Sequence, residues 1–169
     1  DNIVRDFFSV GDFDGDGDLD IASGGGNYID ALPGFQHGVP YVHFYDNDGN
    51  QQFSSRQLNY VADSAVSVYA TDLDGDGDID VLSASSADNK IAWYENIGSG
   101  NFAPQTITTN AVGARSVYAL DVDGDGDVDV LSASHTDAKI AWYENLAVVD
   151  IGAVERSAGA IDLTPHSYS

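Results

Sequence analysis

The chain has 169 residues, no cysteine and no methionine, and a formal net charge of −22 from 28 acidic residues against six Lys and Arg. That length supports one domain with a real core, and an apolar share of 43% excludes a disordered acidic tail. The acidity argues against nucleic acid and membrane insertion, because six scattered cations form no basic patch.

Without cysteine, no disulfide can staple the fold. No transmembrane run and no signal peptide is visible. The absence of methionine implies that residue 1 is not a translation start and that the chain is a processed or excised part of a longer precursor.

Taken in order, the chain first offers a short apolar strand at 4–10 and then the acidic stretch 12–20, which reads D-x-D-G-D-G-D-x-D. The same nine-residue pattern returns at 72–80 and 121–129. Five aspartates on alternate positions repel one another without a counter-ion, and two glycines permit a backbone tight enough to turn the carboxylates inward. Oxygen-only donors, high negative charge and tight curvature suit a hard divalent cation, Ca²⁺ above all.

The spacing assigns the ligands. Positions 1, 3 and 5 offer carboxylates, position 7 its backbone carbonyl, and position 9 closes the shell, giving about six protein oxygens. In the first loop these are Asp12, Asp14, Asp16, Asp18 and Asp20. In the second they are Asp72, Asp74, Asp76, Asp78 and Asp80. In the third they are Asp121, Asp123, Asp125, Asp127 and Asp129. Three Ca²⁺ sites are therefore expected, and with no disulfide the ion would take over the stapling. That fits a compartment with millimolar free calcium, outside the cell or in a periplasm.

An EF-hand shares the glycine at position 6 (Gly17, Gly77, Gly126) but needs a glutamate at position 12, where this chain has Ser23, Ser83 or Ser132. It also needs flanking helices. These loops instead run into Val, Ile, Leu, Ala and Ser with β-type alternation.

After the first exit strand comes the stretch 24–40, rich in glycine and carrying Tyr28, Asp30, Phe35 and His37. It holds the 11 extra residues of the first unit, since the loops begin 60 and then 49 residues apart. Such a loop over a rigid scaffold is a place for functional residues or a tolerated surface excursion. The four histidines, His37, His43, His135 and His166, share no metal-ligand spacing.

An aromatic strand follows in each unit, at 41–46, 90–96 and 139–145, and the last two both read K-I-A-W-Y-E-N. Trp93, Tyr94, Trp142 and Tyr143 could stack on sugars, but alternate members of a strand point to opposite sides, which favours filling the space between sheets. Tyr69 and Tyr118 recur in register on the entry strands and are expected in the core. Glu95 and Glu144 recur too and suit structural hydrogen bonding. Turns such as Gly98-Ser99-Gly100-Asn101 lead to fourth strands at 55–61 and 104–109. The third unit breaks the pattern after Leu146. Its fourth strand, or one swapped or closing the ring, is expected at 148–154, with 164–169 as a frayed end.

No stretch has sustained helical periodicity. Four antiparallel strands repeating about every 50 residues predict an all-β fold of β-propeller blades. The units are 1–62 (blade 1), 63–111 (blade 2) and 112–152 (blade 3), with a tail at 153–169.

The acidic loop, the I/V-D-V-L strand after it and the W-Y-E-N strand resemble FG-GAP/VCBS repeats, the calcium-bearing blades of integrin-α-like propellers. The resemblance covers about residues 4–146. It implies that the loop joins the first two strands of a blade and binds Ca²⁺ through the positions assigned above. It also implies a secreted or surface protein serving adhesion or carbohydrate contact, or an accessory domain of a polysaccharide-degrading enzyme.

Family propellers close with six to eight blades, whereas this chain has three. Its expected partners are therefore itself or further blades of the same precursor, with a glycan or protein as ligand. The expected function is a non-catalytic extracellular module for adhesion, binding or self-assembly. The alternative is the propeller portion of a secreted polysaccharide-active enzyme. No nucleophile–base pair stands out from the sequence.

Overall fold

The computed structural model describes residues 7–25, 42–50, 52–58, 64–146 and 163–168. The insertion residues Tyr28, Asp30, Phe35 and His37 lie outside them, as does the expected strand at 148–154. Among the described residues there are twelve β-strands and no helix.

Each acidic loop separates two antiparallel strands. The entry strands are β1 (Phe7–Gly11), β5 (Ala65–Thr71) and β9 (Ala114–Leu120), and the exit strands are β2 (Asp20–Gly24), β6 (Asp80–Ser85) and β10 (Asp129–Ser134). The aromatic strands are β3 (Val42–Asn47), β7 (Lys90–Asn96) and β11 (Lys139–Asn145). The outer strands are β4 (Phe53–Gln57), β8 (Phe102–Thr108) and β12 (Leu163–Tyr168). They form three four-stranded antiparallel sheets, ordered β1-β2-β3-β4, β5-β6-β7-β8 and β9-β10-β11-β12.

The strands follow from local chemistry. Val, Ile, Tyr and Trp prefer a pleated surface, and the hairpins between β6 and β7 and between β10 and β11 turn at Asn89 and Ala138, both with positive φ.

One expectation is corrected here. The fourth strand of the third sheet is β12, which overlaps the stretch read as a frayed end, so this sheet extends past residue 152. Its register explains why. Pro165 lies opposite Tyr143 and Leu163 opposite Asn145, just as Pro104 lies opposite Tyr94 and Phe102 opposite Asn96. The run Leu163-Thr164-Pro165 thus occupies the place of Phe102-Ala103-Pro104. Both prolines sit on edge strands, the place in a sheet where proline is tolerated.

Two apolar layers hold the three sheets together. Phe13, Val42, Phe44, Val81, Ala92 and Tyr94 are buried between the first and second sheets. Leu82, Ile91, Trp93, Val117, Val130 and Tyr143 are buried between the second and third. Trp93 and Tyr94, adjacent on β7, enter opposite layers because strand side chains alternate. Phe13, Phe44 and Phe102 meet edge-on or tilted at centroid distances of 5.4–6.1 Å, an arrangement that the ring quadrupoles favour.

Tyr118 is not a core residue, and Tyr69 packs against the second layer without being fully buried in it. Tyr118 is 50% exposed and Tyr69 half-buried, and their rings pack on each other at 4.5 Å. Both stand on entry strands, where the sheets come close enough for the rings to meet without being enclosed. The Tyr69 hydroxyl titrates above its usual range because it is hydrogen-bonded to Tyr118.

Candidate metal centre

Each acidic loop is a cage of backbone N–H groups closed on carboxylates. In the second loop, Gly75 N–H donates to Asp72 Oδ1 (2.8 Å) and Gly77 N–H to Asp72 Oδ2 (3.0 Å). Asp76 N–H donates to Asp74 Oδ1 and Asp78 N–H to Asp76 Oδ1, at 3.2 and 2.8 Å. The first loop repeats the pattern on Asp12, Asp14 and Asp16, and the third on Asp121, Asp123 and Asp125. Glycine is required at positions 4 and 6 by backbone conformation, not by crowding. Gly75 and Gly77 have φ of +74° and +99°, with nothing within 4 Å of an added Cβ.

Position 9 is the anchor. Asp80 accepts Leu73 N–H on Oδ2 (3.0 Å) and Asn96 N–H on Oδ1 (2.7 Å), tying the loop to the end of β7. Asp20 is held in the same way by Phe13 and Asn47, and Asp129 by Val122 and Asn145. All three carboxyls are buried.

In this geometry positions 1, 3 and 9 converge. One carboxylate oxygen from each of Asp12, Asp14 and Asp20 lies within 4.8 Å of the other two, and so do those of Asp72, Asp74 and Asp80 and of Asp121, Asp123 and Asp129. Oxygens on opposite sides of a Ca²⁺ ion are about 5 Å apart, given metal–oxygen distances of about 2.3–2.6 Å. The donor set is therefore hard and anionic, and close enough together to hold a metal ion. Asp16, Asp76 and Asp125 (position 5) and Asp18, Asp78 and Asp127 (position 7) stand outside the converging triads.

Crowded carboxylates in a partly dry cage resist ionisation. Asp14, Asp74 and Asp123 at position 3 are held above the ordinary carboxylate range, chiefly by desolvation, with neighbouring carboxylates adding and backbone N–H bonds opposing. Asp20 is raised by burial against the N–H bonds from Asn47 and Phe13. Asp80 is pushed up to about 7, again by burial first. Groups that lose water without gaining a positive partner favour any bound cation strongly.

The asparagine that ends each aromatic strand has a role the sequence reading missed. Asn96 Nδ2 donates to Ile79 O in its own sheet and to Phe13 O in the loop of the sheet before it, at 3.1 and 2.7 Å. Asn145 does the same to Val128 O and Leu73 O, both at 3.1 Å. The only hint was its recurrence at 49-residue spacing in W-Y-E-N.

The sugar-stacking idea fares poorly, since Trp93, Tyr94 and Tyr143 are buried between sheets. Glu95 accepts a hydrogen bond from Gln105 Nε2 at 2.7 Å, a link between adjacent strands. The histidines form no metal group among the described residues.

Residues 12–83 and 72–132 each match the family model of the FG-GAP-like repeat. No curated protein and no solved structure matches the chain.

Proposed function

The chain belongs to the FG-GAP-like repeat family, the repeat of integrin-like β-propeller domains, and from that premise we propose that it is a non-catalytic, extracellular calcium-binding module. The observation that carries the reading is the threefold recurrence of one loop with the same internal N–H bonds and the same converging triad. A single acidic turn has many explanations, whereas three in register, each sealed by a buried aspartate, form a repeated binding device.

Asp12, Asp14 and Asp20 would hold the first ion, Asp72, Asp74 and Asp80 the second, and Asp121, Asp123 and Asp129 the third. The carboxylates of Asp16, Asp76 and Asp125 and the main-chain oxygens of Asp18, Asp78 and Asp127 would complete the shells. The ion would neutralise the cage and fix the turn between entry and exit strands. What it supplies is rigidity, and the function lies in the surfaces so displayed, for adhesion or for a glycan or protein ligand. A secreted setting supplies the calcium. No helix among the described residues is long and apolar enough to cross a membrane.

The test is thermal unfolding with calcium and with chelator. A ligand bound only by the folded state stabilises by RT ln(1 + [L]/Kd), about 2.7 kcal/mol per site at 100-fold excess over Kd. EDTA should lower Tm sharply, and calcium but not sodium should restore it. An unchanged Tm in chelator would refute the reading.

A further inference from the structure

The second sheet is covered on both sides, and the two coverings differ. Its Leu82, Ile91 and Trp93 face packs on the third sheet, and its Val81, Ala92 and Tyr94 face packs on the first. Both interfaces thus join the tryptophan-type face of one sheet to the tyrosine-type face of the next. At the first interface Phe44 stands where Trp93 stands at the second.

Two faces remain: the tyrosine-type face of the first sheet and the tryptophan-type face of the third. They are the two halves of the interface already made twice. Tyr45 on the first of these faces is buried and Trp142 on the second half-buried, but beside them both faces expose apolar side chains. On the first sheet Phe8 is 69% exposed, whereas its counterparts Val68 and Val117 are 8% and 3% exposed. On the third sheet Ile140 is 63% exposed, whereas its counterparts Val42 and Ile91 are fully buried. Leu19 and Val122 repeat the contrast, against Ile79 and Val128 packed in the layers and Phe13 and Leu73 buried.

The polar latch is left open in the same sense. Asn96 and Asn145 each reach back to the position-2 carbonyl of the preceding loop, Phe13 O and Leu73 O. Among the described residues Asn47 Nδ2 makes only the within-sheet half of that pattern, to Leu19 O at 3.1 Å. Val122 O, the third position-2 carbonyl, has no asparagine above it among the described residues. Among the described residues, one end therefore presents the unused donor and the other the unused acceptor.

We propose that the chain binds a second copy of itself head to tail, the first sheet of one copy docking on the third sheet of the other. Phe8, Val10 and Leu19 of one copy cover Val122 and Ile140 of the other, and Asn47 latches onto the Val122 carbonyl. The contact is heterologous, so it leaves one free end of each kind. The second copy also covers the third acidic loop, as the third sheet covers the second loop. The proposal goes beyond the calcium reading and stands on the sheet faces alone.

The experiment is sedimentation of the full chain in millimolar calcium, alone and as Phe8→Arg and Ile140→Arg variants. Both positions are exposed in the single chain, so each variant keeps its own fold, which circular dichroism verifies. The wild type should exceed the monomer mass increasingly with concentration. Each variant alone should remain a monomer, because one of the two docking faces is blocked in every molecule. Mixed one to one, the variants should form a dimer of twice the monomer mass, because each keeps the face the other lacks. A monomeric wild type, a variant that still self-associates, or a mixture that stays monomeric would overturn the proposal. Calcium bound per chain, measured on the same samples, separates this outcome from failure of the calcium reading.

Discussion

The second and third acidic loops share one pattern, D-x-D-G-D-G-D-x-D, and one set of internal N–H bonds, yet sit in different surroundings. In the second, Leu73 is 2% exposed and its carbonyl accepts Asn145 from the next sheet. In the third, Asp121, Val122 and Asp123 are all exposed. The cage is therefore encoded by its own nine residues, while its dryness is supplied by whichever sheet comes next. Loop geometry and loop burial are separable properties in such a repeat.

The largest effect expected from this contrast is at the tryptophans. Trp93 is buried between two sheets and Trp142 is only half-buried. Trp93→Ala should cost about 3–5 kcal/mol in denaturant unfolding with calcium present, the usual range for a buried large aromatic. Trp142→Ala should cost less than half of that. Equal costs would mean that the third sheet is as enclosed as the second.

The covered loop should also make calcium-free stability depend on pH. Asp80 titrates at about 7 in the fold against an ordinary value of 3.8. A group whose pKa is raised by folding stabilises the fold below the unfolded value and loses that contribution as pH rises through the folded one. In chelator, Tm should therefore fall between about pH 4 and pH 7. With calcium the trend should reverse, because the ligands must be ionised to bind. A flat profile in chelator would remove the burial argument for Asp80.

The smallest difference should be between Asp72→Ala and Asp121→Ala. Each removes the acceptor of two glycine N–H groups. Those glycines are exposed in both loops, so water reaches the freed donors in either case. Each loss should stay below about 1 kcal/mol in chelator, and a larger cost at Asp72 would mean that the next sheet dries the glycines too. Differential scanning calorimetry reads both.

Most of this architecture was legible from residues. The recurrence of D-x-D-G-D-G-D-x-D and W-Y-E-N placed the loop, exit strand and aromatic strand of each sheet, because each is determined by near neighbours in the chain. β12 was missed because the spacing that located β4 and β8 is broken after Leu146, although Leu163-Thr164-Pro165 carries the same proline register as Phe102-Ala103-Pro104. The roles of Asn96 and Asn145 were missed for a related reason. Their partners, Phe13 and Leu73, lie 83 and 72 residues away, and no periodicity reveals which carbonyl a neighbouring sheet presents. Burial of Tyr69 and Tyr118 was overestimated because recurrence in register shows a shared position, not its depth.

Anomalous X-ray scattering from crystals grown in calcium tests the account most directly. It predicts three peaks, one each within the Asp12/Asp14/Asp20, Asp72/Asp74/Asp80 and Asp121/Asp123/Asp129 triads. Well-ordered loops with no anomalous density between those carboxylates would contradict it.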